Sequence, residues 1–226
     1  MKKKGMLFIF ILLIGFSSWA DNSFRYNMNE LKVIANEKVF PNRIFYENKS
    51  EGPYSDWFDA VKKGNYHKVK NLIENEHPID VKDEASLGQT ALGWAAFIGY
   101  KDIVELLVKH GASLKATDNA DVKHVFKSAI MGGNIEIIEY IYSLSKDFVD
   151  INELEDDGET MLIVASYAGR LDSVKFLLAN GANVNIISEQ KQHNALTYAC
   201  TQGHEDVVNL LLRYGAINFR TGLNGC

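Results

Sequence analysis

The sequence of 226 residues is short of long apolar runs, of cysteine and of basic charge. Its longest apolar stretch, residues 6–16, has eleven residues, whereas a helix needs about twenty to span a bilayer. Only two cysteines are present. Lys and Arg number 24 against 29 Asp and Glu, a net charge of −5. This balance argues against nucleic acid or an anionic membrane as the main partner.

The usual patterns of enzyme and metal sites are missing as well. No serine, histidine and aspartate are ordered as a nucleophilic triad, and the six histidines show no metal-ligand spacing with cysteine or carboxylate. The glycine-containing stretch 131–134 lacks the lysine of a phosphate-binding loop. We therefore predict no catalytic residue, no metal site and no cofactor, and an enzyme is the least favoured class of function.

The first twenty residues have the pattern of a cleavable export signal. Three lysines at residues 2–4 precede the apolar run, and Ser18 and Ala20 supply small side chains at the two positions that a signal peptidase reads. We predict cleavage after Ala20 and a location in the periplasm or outside the cell. Cleavage leaves 21 basic and 29 acidic residues, a net charge of −8. The alternative is an uncleaved N-terminal anchor.

A pattern of two short helices recurs along the rest of the chain. In residues 88–112, apolar residues three and four apart form two runs that are divided by Gly99 and closed by Gly111. Glycine is the expected stop after a helix because it enters the left-handed region without steric cost. Five apolar anchors mark the copies at intervals of 34 to 36 residues: Trp57, Leu92, Phe126, Leu162 and Leu196.

The repeated motifs Gly-x-Thr-Ala-Leu, Ala-Ala-x-x-Gly, Ile-Val-x-x-Leu-Leu and Gly-Ala-x-Val-Asn resemble those of the ankyrin-repeat family. The resemblance covers residues 53–218 and implies an all-α solenoid of about five helix-turn-helix repeats with protruding β-turn fingers. The third copy lacks the threonine and carries about two extra residues near 143–148, where we expect a distorted joint. The family's histidine after the leucine anchor is missing in every copy, and Lys127 replaces it in the third.

These patterns divide the chain into a signal peptide at 1–20, an N-terminal segment at 21–52, the repeats at 53–220 and a tail at 221–226. The segment contains five aromatic residues, more than a disordered tail would carry. We expect it to cap the first repeat, because a terminal repeat needs a partner for its outer face.

The resemblance also locates a candidate binding surface. In the family, the last two residues of each first helix face the concave groove, and polar residues are common there. The central repeats of this chain carry instead a set called here the groove stripe: Phe97, Ile98, Met131 and Tyr167. Lys62 and Lys63 lie at one end of it. Exposed aromatic and methionine side chains are typical of interfaces, so the stripe is predicted to bind a protein. The alternative is that these side chains pack on one another.

An acidic run, residues 153–159, is predicted to form a solvated finger along one edge of the groove. It contributes Glu155, Asp156 and Asp157 to the candidate site, facing a basic partner. Its spacing does not match a calcium-binding loop.

The two cysteines, Cys200 and Cys226, both remain after signal cleavage and would meet an oxidising environment. A disulfide between them is one interpretation. The others are a free Cys200 buried as a small apolar residue and an intermolecular bond through Cys226.

Three classes of function follow. The first is a monomeric protein-binding module, with no nucleic acid partner and no stable membrane insertion. By resemblance, some exported bacterial ankyrin-repeat proteins look like immunity proteins that block a secreted toxic effector such as a phospholipase. The second is a structural or stress-protection scaffold in the cell envelope, and the third is an enzyme.

Overall fold

The computed structural model describes residues 50–86, 88–116, 118, 124–155, 158–188 and 190–226. The predicted signal peptide at 1–20 and residues 21–49 of the N-terminal segment lie outside these ranges, so those two predictions remain predictions.

Ten α-helices and two short hairpins form within the described residues. The helices are α1 (Ser55–Lys62), α2 (Tyr66–Glu74), α3 (Ala91–Ile98), α4 (Lys101–Lys109), α5 (Val125–Gly132), α6 (Ile135–Ser145), α7 (Met161–Tyr167), α8 (Leu171–Ala179), α9 (Ala195–Gln202) and α10 (Glu205–Arg213). The strands are β1 (Lys82–Asp83), β2 (Gln89–Thr90), β3 (Ile187–Ser188) and β4 (His193–Asn194). Strand β1 pairs antiparallel with β2, and β3 with β4.

The helices stack as five antiparallel pairs. The odd-numbered helices form an inner layer in which α3 packs on α1 and α5, and α7 packs on α5 and α9. The even-numbered helices form an outer layer in the same order. Helices of seven to eleven residues are marginal alone, and each is stabilised by its neighbours in the stack. The predicted all-α solenoid of about five repeats with β-turn fingers is confirmed.

The threonine of the repeated motif caps the inner helix. Thr90 accepts a hydrogen bond from the N–H of Gly93 at 3.2 Å, and Thr160 accepts one from the N–H of Ile163 at 3.3 Å. Asn194 does the same at the start of α9. Such a side chain pairs one of the free N–H groups at a helix start. The third repeat, which lacks the threonine, begins without a side-chain cap.

The extra residues of the third repeat lengthen a helix. Helix α6 has eleven residues, whereas each of the other outer helices has nine. The chain thus accommodates the insertion as two additional helical residues before the next loop. The described part of this region is a longer helix followed by a turn at Lys146 to Phe148.

Asparagine side chains connect consecutive repeats along the loops that follow the outer helices. The Nδ2 of Asn152 donates to the carbonyl of Gly181, and its Oδ1 accepts from the N–H of Asn183. Asn185 makes the equivalent pair of bonds with Gly215 and Ile217. Each amide therefore pairs backbone groups of the next repeat, which explains the asparagine that closes the repeated motif.

The end of the chain returns to the last inner helix. A disulfide joins Cys226 to Cys200 of α9, with Cα atoms 5.4 Å apart, and the described chain contains no free cysteine. Asn218 is buried and accepts a hydrogen bond from the hydroxyl of Thr197. Tyr214 and Leu223 nevertheless remain exposed at this end of the array.

Candidate functional site

Three of the four residues of the groove stripe are buried, so the prediction that they form an exposed surface is wrong. Phe97 and Met131 are 2% exposed and Ile98 is fully buried. Only Tyr167 is partly accessible.

The composition of helix α3 explains this burial. All eight of its residues are buried, and none of its side chains is charged. A helix that is apolar on every face is an internal helix. The ring of Phe97 lies edge-on to that of Trp94, with centroids 6.2 Å apart. The pattern of the whole helix, rather than its last two positions, was the signal for burial.

The two lysines at the end of the stripe have different environments. Lys62 is only 5% exposed, and its Nζ lies 2.6 Å from Oδ2 of Asp83. It also donates to the hydroxyl of Ser50 at 2.9 Å. The prediction that Lys62 binds a partner is therefore wrong, because a carboxylate and a hydroxyl of its own chain already surround it. The side chain of Lys63 is 68% exposed and remains accessible beside Asp59.

The acidic run is not simply a solvated finger. Glu155 is buried, and its Oε2 accepts a hydrogen bond from Nζ of Lys127 at 2.8 Å. The prediction of an exposed Glu155 is wrong because the buried Lys127, which replaces the family's histidine, needs an anionic neighbour. Glu159 of the same run is also buried and pairs with Lys191 at 3.2 Å. Asp156 and Asp157 lie outside the described residues.

A partly exposed aromatic group does exist, but it lies on the fourth and fifth repeats. The ring of Tyr167, at the end of α7, meets that of Tyr198 in α9 edge-on at 5.0 Å. The ring of Tyr198 stacks on that of His193 in strand β4, with centroids 4.2 Å apart. All three side chains are partly exposed. Tyr167, Tyr198 and His193 are called here the tyrosine cluster.

The surroundings of His193 lower its pKa. Burial lowers the pKa of His193, and the positive charges of Arg220 and Lys191 lower it further. Nη2 of Arg220 lies 3.3 Å from Nε2 of the imidazole. Because a guanidinium can only donate, this contact requires a neutral ring with a free lone pair on Nε2. The cluster therefore presents two tyrosines and a neutral histidine, with the positive charge on the exposed Arg220 and Lys191 at its edge.

The backbone under the cluster is fixed by a histidine of the last repeat. Nε2 of His204 lies 3.0 Å from the carbonyl oxygen of Tyr167, and the ring nitrogen must be the donor because a carbonyl can only accept. This bond connects α7 to the turn before α10. It holds the end of α7, and with it Tyr167, against the fifth repeat.

The described residues form a stack of helices with two short hairpins. They contain no group of three or more His, Cys, Asp or Glu side chains placed to hold a metal ion. Within the same ranges, no helix is both long and apolar enough to cross a bilayer. The feature that distinguishes the described surface is the tyrosine cluster, a row of stacked side chains on the helical array.

Sequence patterns predicted Tyr167 but missed Tyr198 and His193, because the members of the cluster come from separate elements. Tyr198 lies in the middle of α9, three residues before Thr201, where the two groove-facing positions of this helix begin. His193 belongs to the finger, which the resemblance treats as a turn. The available signal was the pair of ring side chains, His193 and Tyr198, on the two sides of the Asn194 cap.

Comparison with protein families supports this architecture. A family model described as ankyrin repeats (3 copies) matches residues 57–152 and 126–221. Repeats of this family are in general binding units rather than catalytic ones.

Three similar curated proteins are eukaryotic or viral, and the chain spans 28% or less of the length of each. The chain is 31% identical over 176 residues to an ankyrin repeat and KH domain-containing protein of Caenorhabditis elegans, covering 66% of this chain and 6% of that protein. It is 31% identical over 159 residues to a palmitoyltransferase of Lachancea kluyveri, covering 70% and 21% respectively. With a putative ankyrin repeat protein of fowlpox virus, the identity is 28% over 174 residues, covering 76% and 28%.

Proposed function

The chain belongs to the ankyrin-repeat family, and on this premise we propose that it is an exported module that binds another protein through the tyrosine cluster. The observation that carries the proposal is the stacking of Tyr167, Tyr198 and His193 in a partly exposed row. Tyrosine is enriched at interface hot spots, because its ring buries a large area while its hydroxyl stays paired with water or a partner.

The surroundings of the cluster suit a docking surface. Thr201 and Gln202 at the end of α9 are exposed, as are Lys191 and Arg220. A core of aromatic residues within a polar rim is the usual anatomy of an interface. The stack between two helices and a finger fixes the ring positions before binding, which lowers the entropy cost of association.

Export is supported by two independent features. Residues 1–20 have the order of charge, apolar run and small residues found in signal peptides. The disulfide between Cys200 and Cys226 belongs to oxidising compartments, since cytosolic thiols are kept reduced. The two features come from opposite ends of the chain and favour the same compartment.

The partner we propose is a secreted effector or toxin that this module binds and blocks, as an immunity protein does. A stiff array can cover the mouth of an active site without chemistry of its own. A scaffold role in the cell envelope, structural or protective against stress, is the alternative.

The experiment is a pull-down from the envelope and the culture medium with the tagged protein and two variants. Tyr198→Ala removes the central ring of the cluster, and Tyr214→Ala removes an exposed tyrosine at the end of α10 as a matched control. We expect one exported partner that is lost with Tyr198→Ala and kept with Tyr214→Ala. Inhibition of that partner's toxicity by the wild-type protein would support the immunity role, and a structural envelope protein would favour the scaffold. A partner list that is the same for both variants refutes the tyrosine cluster as the site.

Export is tested on the same material. N-terminal sequencing of the protein recovered outside the cytoplasm is expected to begin at Asp21. An intact N-terminus, or recovery from the cytoplasm alone, argues against the proposed export.

A further inference from the structure

Burial along the inner edge of the array is greatest in the second and third repeats. At the ends of the inner helices, both equivalent positions are buried in α3 and α5: Phe97 with Ile98, and Met131 with Gly132. Both positions are exposed at the end of α9, whereas α1 and α7 each have one buried position, Lys62 and Ala168, and one more accessible position, Lys63 and Tyr167. Since the repeats share one backbone plan, this difference depends on the side chains and on what lies against each helix.

The concave side of a solenoid is normally its accessible side, and it is the surface that such proteins use for binding. Large apolar side chains at that edge are expected to be partly exposed when nothing lies against them. Trp94 and Phe97 are nevertheless 5% and 2% exposed. The groove along α3 and α5 thus has the burial of an occupied groove, whereas the groove at α9 does not.

The described chain begins at this groove. The N–H of Ser50 donates to Oδ1 of Asp59 at 2.9 Å, and its hydroxyl accepts from Nζ of Lys62 at 2.9 Å. That same Nζ lies 4.9 Å from the ring centroid of Trp94, and Trp94 is in contact with Phe97. Ser50 therefore lies on the inner edge next to the buried rings, and the residues before it start from that point.

The composition and length of residues 21–49 suit such a groove. These 29 residues include Phe24, Tyr26, Phe40, Phe45 and Tyr46. Even at the helical rise of about 1.5 Å per residue they span roughly 44 Å. Three inner helices packed about 10 Å apart require only about 20 Å. The segment carries five basic and four acidic residues, while residues 50–226 carry 16 basic and 25 acidic ones, so the charges of the two parts are complementary.

We infer that residues 21–49 of this chain occupy the concave groove along α3 and α5 and cover Trp94, Phe97 and Met131. The segment then lies on the inner edge, not on the outer face of the first repeat that sequence patterns predicted. It stops short of the tyrosine cluster. This inference does not rest on the proposed function, because it concerns the chain's contact with itself.

Tryptophan fluorescence tests the inference in the full chain. In a Trp19→Phe background only Trp57 and Trp94 emit, and Trp57 is fully buried in the core. Quenching by acrylamide therefore reports on Trp94.

Changing Phe40 and Phe45 together to Asp is expected to raise quenching severalfold and shift the emission to longer wavelength. As a control, Tyr214→Asp places a new charge away from the groove, and it is expected to leave the quenching and the emission wavelength unchanged. Equal quenching in all three proteins overturns the inference.

A second measurement requires no change in the segment. We would replace Trp94 with the photo-crosslinker p-benzoylphenylalanine and, as a control, do the same at the exposed Leu144 of α6. Irradiation is expected to link position 94 to residues 21–49 of the same molecule, and position 144 to none of them. Links from position 94 only to other repeats or to residues 1–20 overturn the inference. So do links between isotopically distinct copies, which identify a second molecule as the occupant.

Discussion

Lys127 of α5 and Glu155 of the following finger form an ion pair inside the array, with Nζ and Oε2 2.8 Å apart. Both side chains are almost completely buried. The pair connects the third repeat to the fourth, at an inner helix that begins without a side-chain cap.

Removing one partner of this pair should destabilise the array strongly. Glu155→Leu leaves the Lys127 ammonium buried without its carboxylate, and we expect the free energy of unfolding to fall by about 3–5 kcal/mol. Urea unfolding followed by circular dichroism measures the loss.

Replacing both partners separates the value of the pair from the cost of a lone charge. The double variant Lys127→Met with Glu155→Leu removes both charges, and its stability should lie within about 1 kcal/mol of wild type or above it. Lys63→Ala breaks the exposed pair with Asp59 and should cost under about 1 kcal/mol. A double variant as unstable as the single one would show that the charges themselves are required.

Gly132 allows helices α3 and α5 to approach closely. A Cβ at this position would lie 2.4 Å from the carbonyl oxygen of Phe97, which is backbone and cannot rotate away. Gly132→Ala is therefore expected to lower the free energy of unfolding by about 1–3 kcal/mol through overpacking. At Gly225 an added Cβ meets nothing within 4 Å, and Gly225→Ala should unfold at the wild-type midpoint.

The disulfide should stabilise the last repeat. It closes a loop with a sequence separation of 26, and closing a loop of that length contributes about 3 kcal/mol in the chain-entropy description. Cys226→Ser is expected to lower the thermal midpoint, and dithiothreitol should lower that of the wild type to the same value. If dithiothreitol also lowers the thermal midpoint of Cys226→Ser, the effect of the reductant does not come from the disulfide.

The stability of the fifth repeat should fall in mild acid because of His193. Its native pKa lies below the ordinary 6.5, so below pH 6.5 the unfolded chain binds more protons at this site than the folded one. Stability is therefore greatest above 6.5 and declines as the pH falls. Protonation also removes the lone pair that accepts from Arg220.

His193→Gln tests this dependence, because glutamine does not titrate. Urea unfolding between pH 5 and pH 8 should show a smaller loss on acidification in the variant than in the wild type. Identical slopes would show that other groups cause the dependence.

The order and type of the helices were predictable from sequence because their signals are local. The cap at Thr90 and the left-handed glycine at Gly99 delimit α3 within a few residues of the chain, and no distant contact is needed to place them. The insertion in the third repeat was placed correctly near 143–148. A distorted joint was expected there, but the structure has a longer helix α6 instead.

Exposure was predicted much less well, because it depends on neighbours that are distant in sequence. Positions equivalent to Phe97 are accessible in the family, but here the whole of α3 is apolar and internal. Lys62 and Glu155 carry charges that usually mark a surface, and each is buried against a counter-charge 21 or 28 residues away. A single sequence does not reveal such pairs.

The covalent loop from Cys200 to Cys226 encloses α10. A pull applied at Cys226 passes through the two sulfur atoms into α9 and bypasses the outer helix of the last repeat. Under tension between the two ends of the chain, α10 carries no load through its backbone. Mechanical unfolding with the disulfide intact should therefore end at a contour length that lacks the stretch between Cys200 and Cys226, a sequence separation of 26.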